Sequence, residues 1–325
     1  MKILGKEILP GNSVQLNMAI ARLHTHTKIE VPVIVERANT DGPCLLMLGG
    51  IHGNEINGVE IVRKIVAKGI NKPQQGTTIC IPVLNVFGFL NQQREFPDGR
   101  DLNRAFPGST TGSLASRFAH IMMTEIIPHI DYCIDYHTGG DGRFNYPQLR
   151  IDERDEEVIT MAKAFGVKFI KFAAQREKSF RETASKMGKK ILLFEGGKTL
   201  FLDEKVTRAG VQGAMNIMQH LNMRDFSNDE PNVKIPKEQV IIKSSTWIRA
   251  KYSGMFRSYF KLGSFVLKGT SIGSISDPFG EFEKEVKAPN DGYIFCCEHS
   301  PIVNQGTALV HISTSFTKYY NNGNE

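Results

Sequence analysis

His52-Gly53-Asn54-Glu55 places an imidazole and a carboxylate three residues apart on a glycine-containing turn. A second histidine, His137, and a lone acidic residue, Glu195, end two later apolar runs. Two imidazoles and one carboxylate around an open coordination position form the donor set of a catalytic zinc site. Zinc lowers the pKa of its water to roughly 7, so a further glutamate within hydrogen-bond reach can act as its base. Glu195 is that candidate; it would take the proton and pass it to a leaving nitrogen. Any one of these histidines alone reads as an ordinary hydrogen-bonded residue. Asp135, two residues before His137 and so on the same face of a strand, is either a partner orienting an imidazole or a solvent contact.

The elements needed to position these groups can be laid along the chain. Apolar runs at 44–48, 132–136 and 190–194 read as strands, and each leads directly toward one candidate. His52, His137 and Glu195 are therefore expected just past strand carboxyl ends, the edge where open α/β sheets bind ligands. Neighbouring glycines permit tight turns and close approach of a substrate. Ile56, Val59, Val62 and Ile65 recur at helical spacing. Further strands are expected at 14–23, 28–37, 77–83 and 167–172, with helices at 114–127, 153–165, 179–187 and 204–221. This alternation predicts a mixed, largely parallel sheet flanked by helices.

The pattern changes near Asn222. Residues 227–236 are polar, hold two prolines and read as a linker. Beyond them helical periodicity disappears. Val266-Leu-Lys-Gly-Thr-Ser-Ile-Gly-Ser-Ile275 is echoed by Val303-Asn-Gln-Gly-Thr-Ala-Leu-Val-His-Ile312. The expected organisation is a catalytic domain over 1–226 and a small all-β domain, a barrel or sandwich of two similar halves, over 237–325.

Composition excludes several classes. At 41% hydrophobic and 23% charged, the chain has the balance of an ordinary globular protein. Its net charge of +6, without a run of five like charges, reads as a solvated basic surface and not a nucleic-acid interface. Five cysteines, an odd number without a CxxC pair, argue for free thiols in a reducing compartment. No stretch reads as a membrane span or signal peptide, and a cytoplasmic location is expected.

The segment Arg94 to Gly108 carries three arginines, Arg94, Arg100 and Arg104, among turn residues. A guanidinium offers a planar fork for a substrate carboxylate, or can polarise a carbonyl. The plainer reading is an exposed loop with its arginines paired to Asp98 and Asp101.

His52-Gly-Asn-Glu55, Asp101-Leu-Asn-Arg-Ala-Phe-Pro-Gly108, Asp135-Tyr-His-Thr-Gly139 and Phe194-Glu-Gly-Gly197, in this order, resemble the succinylglutamate desuccinylase/aspartoacylase family. These are zinc amidohydrolases related to metallocarboxypeptidases. The resemblance spans the catalytic half. The tail, with Ala288-Pro-Asn-Asp-Gly292, is similar to the C-terminal β domain of bacterial members and to biotinyl and lipoyl modules. The resemblance implies a zinc carboxypeptidase-like fold and one Zn²⁺ per chain, bound by His52, Glu55 and His137. It implies Glu195 as general base and acid, and Asn103 and Arg104 as holders of a substrate carboxylate. It also implies an upstream arginine stabilising the oxyanion; Arg94 and Arg100 compete for that role, with Arg94 favoured. Thr138-Gly139 after the histidine and the different tail depart from classical aspartoacylases, which leaves the substrate open.

Three functions fit these residues. The first is hydrolysis of the amide of an N-acyl amino acid or similar small, carboxylate-bearing acylated amine. The second is a metallocarboxypeptidase using the same ligands on peptides. The third is a carrier module with a degenerate hydrolase half, which the missing lysine at the hairpin tip Asp277-Pro-Phe-Gly280 disfavours. A homo-oligomer is compatible with all three.

Overall fold

The structure is a computed structural model describing residues 1–227 and 236–321. The linker expected at 227–236 falls, except for its two end residues, outside the described residues. The strands in chain order begin with a short pair, β1 (Lys2–Ile3) and β2 (Lys6–Glu7). There follow β3 (Ser13–Arg22), β4 (Lys28–Arg37), β5 (Thr40–Gly49), β6 (Gln75–Ile81), β7 (Tyr132–Gly139), β8 (Arg143–Ile151), β9 (Phe169–Phe172) and β10 (Lys190–Lys198). The helices are α1 (Ile56–Ala67), α2 (Val86–Asn91), α3 (Leu114–Glu125), α4 (Glu156–Phe165), α5 (Phe180–Lys186) and α6 (Glu204–His220).

Strands β5 and β7 lie at the centre of one sheet. Leu45, Leu46, Met47 and Leu48 of β5 are wholly buried, as they must be in a strand covered on both faces. One face packs against Phe118 and Met122 of α3 and Phe180 of α5. The other packs against Ile61 and Ile65 of α1, Phe165 of α4 and Met218 of α6. By contrast, β3 alternates buried and exposed residues, as an antiparallel edge strand with one wet face should. The start of α4 shows local control: the Asp155 side chain accepts from Val158 N–H, Glu156 and Glu157 occupy the first turn, and Gly166 closes the helix with φ 89°.

The sheet is mixed but not largely parallel. Parallel pairing is confined to β6–β5–β7–β10 and to β8–β9–β11. The remaining pairs are antiparallel, and the direction of the parallel centre is first reversed at two places. One is β4, which pairs with β6. The other is β8, which the sequence pattern did not suggest. In Arg143-Phe-Asn-Tyr-Pro-Gln-Leu-Arg-Ile151 the apolar run is broken by polar residues and by Pro147, which ordinarily argues against an internal strand. β8 follows β7 after a short turn, yet β10 lies between them, parallel to β7 and antiparallel to β8.

The C-terminal β region consists of β11 (Glu238–Arg249), β12 (Gly254–Ser258), β13 (Phe265–Val266), β14 (Ser271–Ser276), β15 (Glu283–Lys287), β16 (Gly292–Glu298), β17 (Ile302–Val303) and β18 (Ala308–Tyr320). It continues the main sheet. β11 runs parallel to β9, and β16 pairs with the first half of β8. A four-stranded sheet, β15-β14-β12-β17, shares a separate core with β16 and β18 around Phe256, Ile272, Ile294 and Leu309. The sequence echo has a structural form. Each copy is a two-residue strand, a turn with a left-handed glycine (Gly269, φ 84°; Gly306, φ 89°) and a longer strand. No helix of the described residues is long and apolar enough to cross a membrane, and all five cysteines are buried and unpaired.

Candidate active site

Strand β5 ends at Gly49, and the chain turns through Gly50 (φ +62°) into His52. Gly53 packs so closely on α2 that a Cβ would lie 1.9 Å from the Gly88 carbonyl carbon. Glycine is thus required there to hold His52 in place. Glu55 occupies the N-cap position of α1 but makes no side-chain capping bond, because its carboxylate is used elsewhere. Its Oε1 lies 2.8 Å from His52 Nδ1 and its Oε2 lies 2.9 Å from His137 Nδ1. Thr138 N–H donates to Oε2 as well, at 3.0 Å.

The opposite edge of each imidazole meets another carboxylate. His52 Nε2 lies 3.1 Å from Asp101 Oδ1, and His137 Nε2 lies 2.9 Å from Asp135 Oδ2. Both Nδ1 atoms therefore face the centre of the cluster. His52, Glu55 and His137 each expose 4% of their surface or less, and their ligand atoms lie within 4.8 Å of one another. Burial opposes ionisation of Glu55, yet His52 and His137 hold its carboxyl well below the usual range. Burial opposes charge on His137 too, and Asp135 and Glu55 outweigh it and raise the imidazole well above its usual value. Two imidazole nitrogens and a carboxylate, with both imidazoles oriented by acidic partners, fit a divalent metal of the zinc type.

Arg94 lies against this cluster. Its Nη1 is 3.2 Å from Glu55 Oε1 and its Nη2 is 2.8 Å from Asp101 Oδ2. Arg100 is exposed, pairs with Asp98 at 3.5 Å and does not line the cavity. Burial resists charge on Asp101, but His52 and Arg94 keep its carboxyl well below the usual range. Sequence reasoning gave Asp101 no part in the chemistry, although it opens the Asp-Leu-Asn-Arg motif. It also accepts from Asn103 N–H at 2.8 Å, which shapes the turn carrying Asn103 and Arg104 into the cavity. Asn103 Oδ1 accepts from Phe180 N–H, leaving its NH₂ as the group open to a ligand. Arg104 donates to the Asn103 carbonyl and has no carboxylate partner among the described residues.

His137 and Glu195 lie within strands β7 and β10, not beyond their ends, and face one another in parallel register. Glu195 is 8% exposed. Its Oε2 accepts from Asn145 Nδ2 at 2.8 Å and its Oε1 pairs with Arg150 Nη1 at 3.0 Å. Both partners come from β8, so the missing strand also hid these two residues.

The His52–Glu55–His137 cluster, Arg94, Asp101, Asn103, Arg104 and Glu195 line a cavity of about 730 Å³. Seven arginine and lysine side chains line it against four carboxylates, which suits an anionic ligand. Its far wall is Trp247, Cys296 and His311, from the C-terminal β region. The His311 ring stacks on Trp247 with centroids 4.2 Å apart and touches Phe295 at 4.4 Å. Ser245 Oγ lies 2.9 Å from His311 Nε2. Burial, then Arg150 and Lys171, push His311 down to about 3, so its imidazole is neutral near pH 7.

Residues 41–221 match the family model described as the succinylglutamate desuccinylase/aspartoacylase catalytic domain. The chain is 26% identical to N-alpha-acetyl-L-2,4-diaminobutyric acid deacetylase of Halomonas elongata, over 88% of this chain and 86% of the relative. Among solved structures it is similar to a succinylglutamate desuccinylase/aspartoacylase from Rhodobacter sphaeroides, with TM-score 0.80 and 22% identity over 95% and 96% of the two chains. It is also similar to the product-bound ectoine utilization protein EutE (DoeB) from Ruegeria pomeroyi, with TM-score 0.79 and 18% identity over 95% and 100%.

Proposed function

Since the chain belongs to the succinylglutamate desuccinylase/aspartoacylase family, we propose that it hydrolyses the amide bond of a small N-acyl amino acid or similar carboxylate-bearing acylated amine. The observation that carries this reading is the buried His52–Glu55–His137 cluster, with Glu195 at the same level on the neighbouring strand. One Zn²⁺ per chain would be held by His52 Nδ1, Glu55 and His137 Nδ1, supplying Lewis-acid activation of water and of the amide carbonyl. Glu195 accepts the proton of the attacking water and later delivers it to the leaving nitrogen. The C–N bond breaks as the acyl carbon gains the water oxygen, giving a carboxylate and a free amine. Arg94 offers charge to the developing oxyanion. Asn103 and Arg104 hold the substrate carboxylate, Arg104 through its fork.

The similarity to a deacetylase along most of both chains supports an acylated amine as substrate. A carboxypeptidase would use the same ligands; the lining of the cavity by Trp247, Cys296 and His311 of the C-terminal β region favours a small substrate over a peptide. On this reading residues 1–226 form the hydrolase domain and 237–325 the domain that narrows its cleft. The buried free thiols support a cytoplasmic location.

The test is metal analysis combined with turnover of N-acetyl and N-succinyl amino acids against dipeptides. Hydrolysis of dipeptides alone would replace this reading with the carboxypeptidase. Glu195→Gln should keep the metal and lose about 10²–10⁴-fold in kcat; normal turnover in that variant would remove Glu195 from the mechanism.

A further inference from the structure

We propose that Asn145 and Arg150 are positioning residues that hold the Glu195 carboxylate by one oxygen each, with the C-terminal β region acting on the base through Asn145. The inference rests on Glu195 as the base and adds what keeps it in place.

Strand β10 is irregular just where it carries Glu195: its register with both β7 and β8 shifts immediately after that residue. Regular backbone pairing therefore does not by itself fix the side chain. Arg150 pairs with Leu193 and Asn145 with Gly197, the β10 residues two positions before and after Glu195, so the two side chains flank it on either side. Their side chains converge on opposite oxygens of one carboxylate, at 3.0 and 2.8 Å. Gln148 is directly opposite Glu195, but both polar atoms of its amide are buried without a partner. The two-point hold is thus not a consequence of proximity alone. It also assigns the amide of Asn145, since its oxygen turned toward Glu195 would place two acceptors together.

The two anchors are supported from different parts of the chain. The Arg150 carbonyl accepts from the buried guanidinium of Arg181 at 3.0 Å, and Arg181 also donates to the Ala173 and Ala174 carbonyls. Asn145 is 2% exposed and pairs in register with Cys296 of β16. Arg150 and Asn145 therefore report, respectively, the placement of the β9–α5 connection and of the C-terminal β region. A base with three rotatable bonds works well only when its oxygen is aligned, and a misplacement of about 1 Å can cost about 10²-fold in rate.

The test compares Asn145→Ala, Arg150→Met, Arg150→Lys and the double variant Asn145→Ala/Arg150→Met. Each of the first two should lower kcat by about 10- to 100-fold with KM changed by less than about 3-fold, and with metal content and melting temperature kept. Arg150→Lys should recover part of the loss, because it retains a cation for Oε1. The double variant should lose little more than the worse single, since both anchors serve one carboxylate. Should Asn145→Ala fold poorly, Asn145→Ser gives the same comparison. A raised KM with kcat unchanged, or losses that multiply fully in the double variant, would overturn the proposal. If Glu195→Gln is inactive while Asn145→Ala and Arg150→Met keep parental kcat, the positioning role fails and the base stands. If Glu195→Gln stays active, the base assignment itself fails.

Discussion

His52, Glu55 and His137 reach the cavity from the parallel centre of the sheet, whereas Trp247, Cys296 and His311 reach it from strands of the C-terminal region. In the first group nearly every polar atom meets an opposite charge: Glu55 alone contacts two imidazoles, Arg94 and a backbone amide. In the second, a neutral imidazole lies between two aromatic rings and its Nδ1 is buried without a partner. Charge pairing fixes donor atoms to within tenths of an ångström, as metal binding requires. Aromatic packing fixes shape and excluded volume. On the proposed reading, the reaction would be set by one wall of the cavity and the size of the substrate by the other.

Removing a donor from the charged wall should have the largest effect. His137→Ala should bind less than about a tenth of the parental metal, measured by elemental analysis, and hydrolysis should fall by more than about 10³-fold. Full metal occupancy in that variant would detach His137 from the site. Arg104→Lys should act on one substrate end only. KM for carboxylate-bearing substrates should rise about 10-fold, because an ammonium lacks the bidentate fork, while a matched neutral amide should be unaffected. Equal changes for both substrates would mean that Arg104 does not bind the carboxylate.

The aromatic wall should answer more gently. Trp247→Ala should leave metal binding intact and raise turnover of bulkier acyl groups relative to acetyl by a few-fold, about 1 kcal/mol of discrimination. An unchanged acyl profile would mean that this wall does not limit the substrate. His311 should show itself in acid. Its folded pKa, about 3, lies below the ordinary value of 6.5, so the unfolded chain binds its proton first. Stability should then fall as pH drops from about 6.5 toward 3, by up to about 1.4 kcal/mol per pH unit. His311→Gln should flatten this part of the melting-temperature profile; identical profiles would show that His311 does not contribute.

Much of the charged wall is legible in the amino-acid sequence. HGNE, the acidic-Tyr-His run and the Glu-Gly-Gly run are local features, each tied to a single apolar strand. The helices after β5 and β10 are also expected from the sequence, the first from the recurrence of Ile56, Val59, Val62 and Ile65. What escapes is everything that depends on β8. Its broken apolar pattern hides the strand, and with it the antiparallel insertion in the sheet and the two partners of Glu195. Asp101 escapes for another reason: a carboxylate in an arginine-rich loop reads as a surface counterion until its second oxygen is placed. Arg94 and Arg100 cannot be separated by spacing; burial separates them.

The sequence by itself determined the chemical types, because donor identity and glycine turns are properties of short segments. It also carried the internal echo of the β region, since both copies need the same left-handed glycine. The tertiary structure decided which nitrogen of each imidazole faces the cluster, which arginine joins it and how Glu195 is held. It also decided that a region far along the chain walls the cavity. Those outcomes depend on strand register and packing between distant segments, and no local pattern encodes the distance from Asn145 to Glu195.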